Sequence, residues 1–182
     1  MSQTAPPTIE PIRRSVLVSW APETAYRRFT EEFGGWWPRY AMSIGGKRVT
    51  RVTFECRVGG QIFEEHGDGT RFLWGRVTDL QPPHRVAFLW HSAQQVQDAQ
   101  EVVITFSPQG RGTRVELVST GWEKMGDQAR RAYGGYRMSW QAVLDAFAVR
   151  STGVRFLFNV MSTAIDAFGQ RNSFIRNSHG RM

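Results

Sequence analysis

The sequence predicts an α+β domain in which one curved antiparallel sheet of about seven strands wraps around a single long helix near the C-terminus. Three observations predict it. Short segments of alternating or continuous apolar residues succeed one another through the middle of the chain, separated by turns rich in Gly or Pro. A helical pattern stands before them, and a longer amphipathic one follows. Apart from the first crossing, the connections are too short to carry a strand over to a parallel neighbour, which leaves one antiparallel sheet. Sheet and helix each present an apolar face, and curling one around the other buries both.

Ile9 to Trp20 reads as the first strand, carried by Ile12, Val16 and Val18 and interrupted by Arg13-Arg14. Ala21-Pro22-Glu23-Thr24 opens a helix, with proline in the first turn and an acidic residue near the positive end of the dipole. Its apolar face is Ala25, Tyr26, Phe29 and Phe33, and Gly34-Gly35 is expected to stop it. Trp36 to Tyr40 follows as a turn or helical fragment. Val52, Phe54, Cys56 and Val58 alternate with polar residues as a half-buried strand. After Gly59-Gly60, Gln61 to His66 is the return strand.

Gly67-Asp68-Gly69-Thr70 leads into a strand over Arg71–Leu80, and Pro82-Pro83 confines the next turn to about Gln81–His84, since neither proline can donate to a ladder. Strands over Arg85–Ser92, Glu101–Phe106 and Thr113–Trp122 complete the sheet, the last two joined by a loop at Ser107–Gly112. From Gln128 to Val149, the residues Ala132, Tyr136, Trp140, Leu144 and Phe147 form one stripe, with Arg137, Gln141 and Asp145 facing away.

The chain has 182 residues, the length of one domain with a short appendage. Residues 1–8 are small, polar and expected to be disordered; residues 9–149 form the domain; residues 150–182 are an amphipathic helix and basic tail. The aromatic load is heavy, with seven Trp and twelve Phe. A single cysteine, Cys56, excludes an internal disulfide and fits a reducing compartment. No apolar run reaches membrane-span length, and residues 1–11 lack the apolar core of a signal peptide, so a cytoplasmic location is expected. The net charge is +7. The tail supplies +4 of it, through Arg150, Arg155, Arg171, Arg176 and Arg181 against Asp166, and no Lys/Arg cluster elsewhere exceeds two. Nucleic-acid binding is not expected from so scattered a pattern.

Several segments then carry a resemblance. Trp36-Trp37-Pro38, Gly59-Gly60-Gln61-Ile62-Phe63-Glu64, Trp74-Gly75-Arg76-Val77, the Pro-Pro-His-Arg turn and Thr113-Arg114-Val115-Glu116-Leu117 occur in the order of an Hsp90-ATPase-activator-homologue (AHSA1-like) domain. The stretch from Gly121-Trp122 through Tyr136 and Trp140 to Phe147 resembles its closing part. The resemblance covers about residues 9–149. It implies the helix-grip fold of the START-like, Bet v 1-like (SRPBCC) superfamily, whose members hold a deep cavity between sheet and long helix. Many bind lipophilic small molecules there; some are polyketide cyclases or hydrolases, others transporters or hormone receptors, and the eukaryotic namesake contacts a chaperone. No invariant catalytic set runs through the superfamily, so no active site carries over.

Among polar residues, Glu64 and His66 share a strand face with Ile62. Facing a cavity, Glu64 would bond a ligand hydroxyl and His66 would move a proton. The plainer reading, preferred on residue type, puts both at the strand rim, solvated or paired with an arginine. His91 closes an apolar run and is either a cavity donor or a strand-end histidine meeting solvent. His84 is expected to be exposed. Cys56 reads as a small core hydrophobe rather than a nucleophile. No metal-ligand spacing, nucleophile elbow or phosphate loop is present, and no metal or cofactor is expected.

The aromatics are the better candidates, since Trp and Tyr pair apolar area with a polar tip. Trp74, Tyr136 and Trp140 are expected to line a cavity, with Trp37 near its mouth. The expected ligand-binding set is therefore Trp37, Glu64, His66, Trp74, His91, Tyr136 and Trp140. In the tail, Val154, Phe158, Met161, Ile165 and Phe168 form an amphipathic stripe. It would pack as a lid, pair two copies into a homodimer through residues 154–168, or lie on a membrane surface. Its single arginine against one aspartate favours packing on protein. The function read from the chain is binding of a small lipophilic or aromatic molecule. The alternatives are a cyclase- or hydrolase-type enzyme using Glu64 or His66 as general acid or base, and a chaperone-associated interaction module.

Overall fold

A computed structural model describes residues 9–91 and 96–152. Seven strands form one sheet: β1 (Ile12–Val18), β2 (Val49–Phe54), β3 (Gln61–His66), β4 (Arg71–Gln81), β5 (Arg85–Trp90), β6 (Gln100–Gln109) and β7 (Gly112–Thr120). Their order across the sheet is β1-β7-β6-β5-β4-β3-β2, and every pair is antiparallel. The helices are α1 (Pro22–Thr30), α2 (Phe33–Trp36), α3 (Arg39–Met42) and the long α4 (Ala129–Thr152). The inner faces of the strands and the stripe Ala132, Tyr136, Trp140, Leu144 and Phe147 of α4 meet in one aromatic-rich core. The expected α+β architecture of a curled seven-stranded sheet gripping a C-terminal helix is the one observed.

Boundaries differ where backbone contacts outweigh residue type. The first helix ends at Thr30, and Gly34-Gly35 lies inside α2 rather than stopping α1. Gly34 is there for proximity: a Cβ on it would sit 2.3 Å from the Val52 carbonyl oxygen, so α2 lies directly on β2. Strand β2 ends at Phe54, and Cys56 and Val58 fall in the tight connection to β3, both exposed. The chain folds back on itself there, with Arg57 N–H donating to the Glu55 carbonyl and Gly60 N–H to that of Arg57. Cys56 is thus not a core residue.

The expected loop at Ser107–Gly112 shrinks to Gly110-Arg111, because β6 and β7 stay paired out to Gln109 and Gly112. Gly110 takes the left-handed φ of 59° that such a turn requires. Trp122 lies just past β7 in a short 3₁₀ turn. The amphipathic stripe read over residues 154–168, and the homodimer or lid it would form, lie outside the described residues.

Candidate functional site

Two features of the interior stand out, one between the sheet and α4 and one on β3. The first is aromatic. Trp74 on β4 and Trp90 on β5 project inward from adjacent strands, with ring centroids 5.5 Å apart. Trp37, just after α2, packs on both at 5.1 and 5.7 Å, and Trp140 of α4 meets Trp90 edge-on at 5.2 Å. Tyr136, one turn before Trp140, continues the row to Trp122. A small cavity of about 20 Å³ lies here, lined by Trp37, Met42, Trp90, Tyr136, Ser139, Trp140 and Val143. That is space for little more than one water. No charged side chain lines it, and the Ser139 hydroxyl is already donating to the Gly135 carbonyl at 2.9 Å.

The indole nitrogens set this row apart. Trp37, Trp74, Trp90 and Trp140 are all buried, and none of their N–H groups has a hydrogen-bond acceptor among the described residues. The buried Ser43 hydroxyl, one residue past Met42, is likewise without a partner among the described residues. By contrast, Trp36 donates to the Arg28 and Phe29 carbonyls, and Trp122 donates to the Ser119 carbonyl. An unpaired buried donor costs roughly 1–3 kcal/mol, so such groups are uncommon, and three at one cavity with a fourth packed behind them form a distinct cluster.

The second feature is polar. Glu64 and His66 are both buried on the inner face of β3, Glu64 fully so, and among the described residues Glu64 pairs with His66 rather than with an arginine. This overturns the preferred expectation of a solvated rim. His66 Nε2 lies 2.6 Å from Glu64 Oε1. The same oxygen accepts the Gly45 N–H at 2.7 Å, and Oε2 accepts the Ile44 N–H at 2.9 Å. The His66 ring packs against Phe72 at 4.8 Å. The carboxylate is therefore a filled acceptor that holds the strap between α3 and β2 onto the sheet. Glu65, on the opposite face, is the residue that pairs with arginines, Arg51 and Arg71.

Of the expected site residues, Trp37, Tyr136 and Trp140 line the cavity directly, while Trp74 packs behind Trp37 and Trp90. Glu64 and His66 do not line it. His91 is buried just past β5, its N–H donating to the Trp74 carbonyl, and it too stands outside the lining. His84 is exposed in its turn, as expected. The sequence reading passed over Trp90, Met42, Ser139 and Val143 as lining residues. Trp90 ends the apolar run of β5, and Ser139 and Val143 stand three residues after Tyr136 and Trp140 respectively and four from each other, spacings that keep all four on one side of α4. Among the described residues no group of His, Cys, Asp and Glu is placed to hold a metal, and no helix is long and apolar enough to cross a membrane.

The molecule was compared with known proteins. No match was found among curated proteins. Among solved structures, an anthrahydroquino-gamma-pyrone synthase, Txn09, complexed with SUM, is 33% identical, with 78% of this chain and 96% of that one covered at a TM-score of 0.55. The Aha1 dimer from Colwellia psychrerythraea, solved in solution, is 15% identical over 79% of this chain and 96% of its own, at a TM-score of 0.56. A protein from Mesorhizobium loti is 20% identical over 76% and 94%, at 0.55. These last two share the fold. The family model for activator of Hsp90 ATPase homolog 1-like proteins matches residues 20–150, and the chain belongs to that family.

Proposed function

We propose that this protein binds a flat aromatic small molecule bearing acceptor oxygens in the space between the sheet and α4. The observation that carries the reading is the group of buried indole N–H donors without acceptors among the described residues: three, on Trp37, Trp90 and Trp140, line one uncharged, aromatic-walled cavity, and a fourth, on Trp74, packs behind them. Apolar ring faces would stack on Trp and Tyr, and carbonyl or phenol oxygens would satisfy the indoles. The 33%-identical relative is named for an anthrahydroquinone-pyrone product, a molecule of that shape and polarity. Burial would contribute roughly 25 cal/mol per Å² of apolar surface before association costs.

An acid–base role for Glu64 or His66 draws no support from the geometry. Both carboxylate oxygens are engaged by the strap and by His66, and neither residue lines the cavity.

The test is calorimetric titration with 1,8-dihydroxyanthraquinone and, as the oxygen-free control of similar shape, anthracene. The expected result is saturable binding of the quinone, with anthracene weaker by on the order of tenfold for one lost hydrogen bond. Trp140→Ala should weaken the quinone further. Absence of saturable binding by either compound contradicts the proposal, and equal affinity for both removes the role given to the indoles.

A further inference from the structure

We infer that Glu64 is a positioning residue whose carboxylate latches the strap Pro38–Gly46 over the cavity, so that access to the aromatic site is controlled through that latch. The inference deepens the binding reading, since it matters functionally only if the cavity takes a guest. Its physical basis is independent of any ligand. The cavity holds about 20 Å³, whereas sites for small molecules typically span roughly 300–1,000 Å³. A tricyclic guest therefore requires one wall to move. Five of the seven lining residues belong to β5, a strand paired on both sides, and to the 24-residue α4. Trp37 and Met42 come from the strap or its entry, and α3 within it has no buried residue.

The strap's own hydrogen bonds are local turns: Ala41 and Met42 N–H to the Pro38 carbonyl, and Gly46 N–H to that of Ser43. Its ties to the sheet include Arg39 to the Thr50 carbonyl, which is exposed, and the two amide bonds to Glu64. Of the Glu64 pair the Gly45 bond is buried and the Ile44 bond half-buried, and a charged acceptor is strongest away from water. Gly45 completes the latch. A Cβ there would stand 2.1 Å from His66 Nε2, although its φ of −78° suits any residue. The strap thus seats only because position 45 has no side chain, and His66 fills the space against it.

Two variants open the latch by different routes. Glu64→Gln replaces one acceptor oxygen with an NH₂ that faces a donor, and Gly45→Ala pushes the strap off His66 without touching the carboxylate. The readout is hydrogen exchange followed by NMR in the ligand-free protein. In both variants the Ile44 and Gly45 amides and the indole N–H groups of Trp37, Trp90 and Trp140 should exchange faster by on the order of tenfold, the equivalent of one charged hydrogen bond. The Trp122 indole and the Val77 amide, bonded to the Gly60 carbonyl, should keep their wild-type rates. Faster strap amides with unchanged cavity indoles would show that the strap is not the gate. Uniform acceleration, Val77 and Trp122 included, would show a general structural role, and no acceleration anywhere would remove the latch. Since no ligand enters the measurement, each of these failures is separate from a failure of quinone binding.

Discussion

Two regions of the interior, the β2–β3 edge and the aromatic row against α4, answer the same question in opposite ways. At the β2–β3 edge, Glu64 and His66 bring a carboxylate and an imidazole into the interior and fill both carboxylate oxygens. A few residues away, Trp37, Trp74, Trp90 and Trp140 bring four donors inside and leave them without acceptors. A buried polar group that is satisfied rigidifies what it touches, and one that is not marks a place where the fold carries a cost for some other purpose. The difference teaches that the titratable pair, which looks most like chemistry in the sequence, is a structural clasp, while the apolar-looking tryptophans are where a guest would be recognised.

Removing the clasp should have the largest effect. Glu64→Ala leaves two amides and a histidine unpaired in the interior, and urea unfolding should show a loss of about 3–5 kcal/mol. A loss under about 1 kcal/mol would mean the clasp is not satisfied in the way described. Next is a matched pair of tryptophans. Trp122→Phe and Trp140→Phe remove the same atoms from buried positions, but only Trp122 loses a hydrogen bond, to the Ser119 carbonyl. Trp122→Phe should therefore cost about 1 kcal/mol more than Trp140→Phe in unfolding experiments. Equal costs would show that Trp140 already has an effective acceptor, such as a neighbouring ring face, and would erase the contrast.

Much of this arrangement was legible in the sequence, and the missing part has a physical reason. Strand β3 appears with the bounds read from Gln61 to His66, because its alternation and flanking glycines are local signals. The α4 stripe is equally local. Alternation put Glu64 on the same face as Ile62, yet a carboxylate beside a strand-end glycine reads on residue type as solvated, and its burial was missed. What could not be read were the partners. They are the main-chain N–H groups of Ile44 and Gly45, 20 and 19 residues upstream, and a backbone donor leaves no mark in residue type. Gly34 read as a helix stop and Gly45 carried no signal, yet each serves a close approach, to Val52 and to His66, that exists only once the chain has folded. Cys56 failed differently: alternation continued on paper past Phe54, while the backbone had already turned.

Smaller effects test the polar periphery of the same core. Burial pushes the Tyr26 hydroxyl up to about 12, with nearby Cys56, Asp79 and Glu31 adding to it. A phenol raised in the folded state contributes stability that is complete below its ordinary value of about 10 and disappears as pH rises toward 12. The hydroxyl is also buried without a partner among the described residues, so Tyr26→Phe should be at least as stable as wild type at neutral pH and lose less stability above pH 10 in thermal melts. The smallest effect belongs to Glu65, held below the usual carboxylate range by its hydrogen bond to Arg51, with Arg71 adding to it. Its contribution is present above the ordinary carboxylate pKa and disappears as pH falls through the lowered one. Glu65→Gln should therefore flatten the acid limb of stability slightly, an effect that salt diminishes because the network is exposed.

The most direct test of the central claim follows the indole ¹H–¹⁵N resonances of the seven tryptophans during titration with 1,8-dihydroxyanthraquinone. Trp37, Trp90 and Trp140 should shift together and saturably, with Trp74 following through ring contact, while Trp36 and Trp122, already donating to carbonyls, should stay in place. Shifts confined to other tryptophans, or none at ligand concentrations that saturate the calorimetric signal, would contradict the claim that the unpaired indoles form the recognition site.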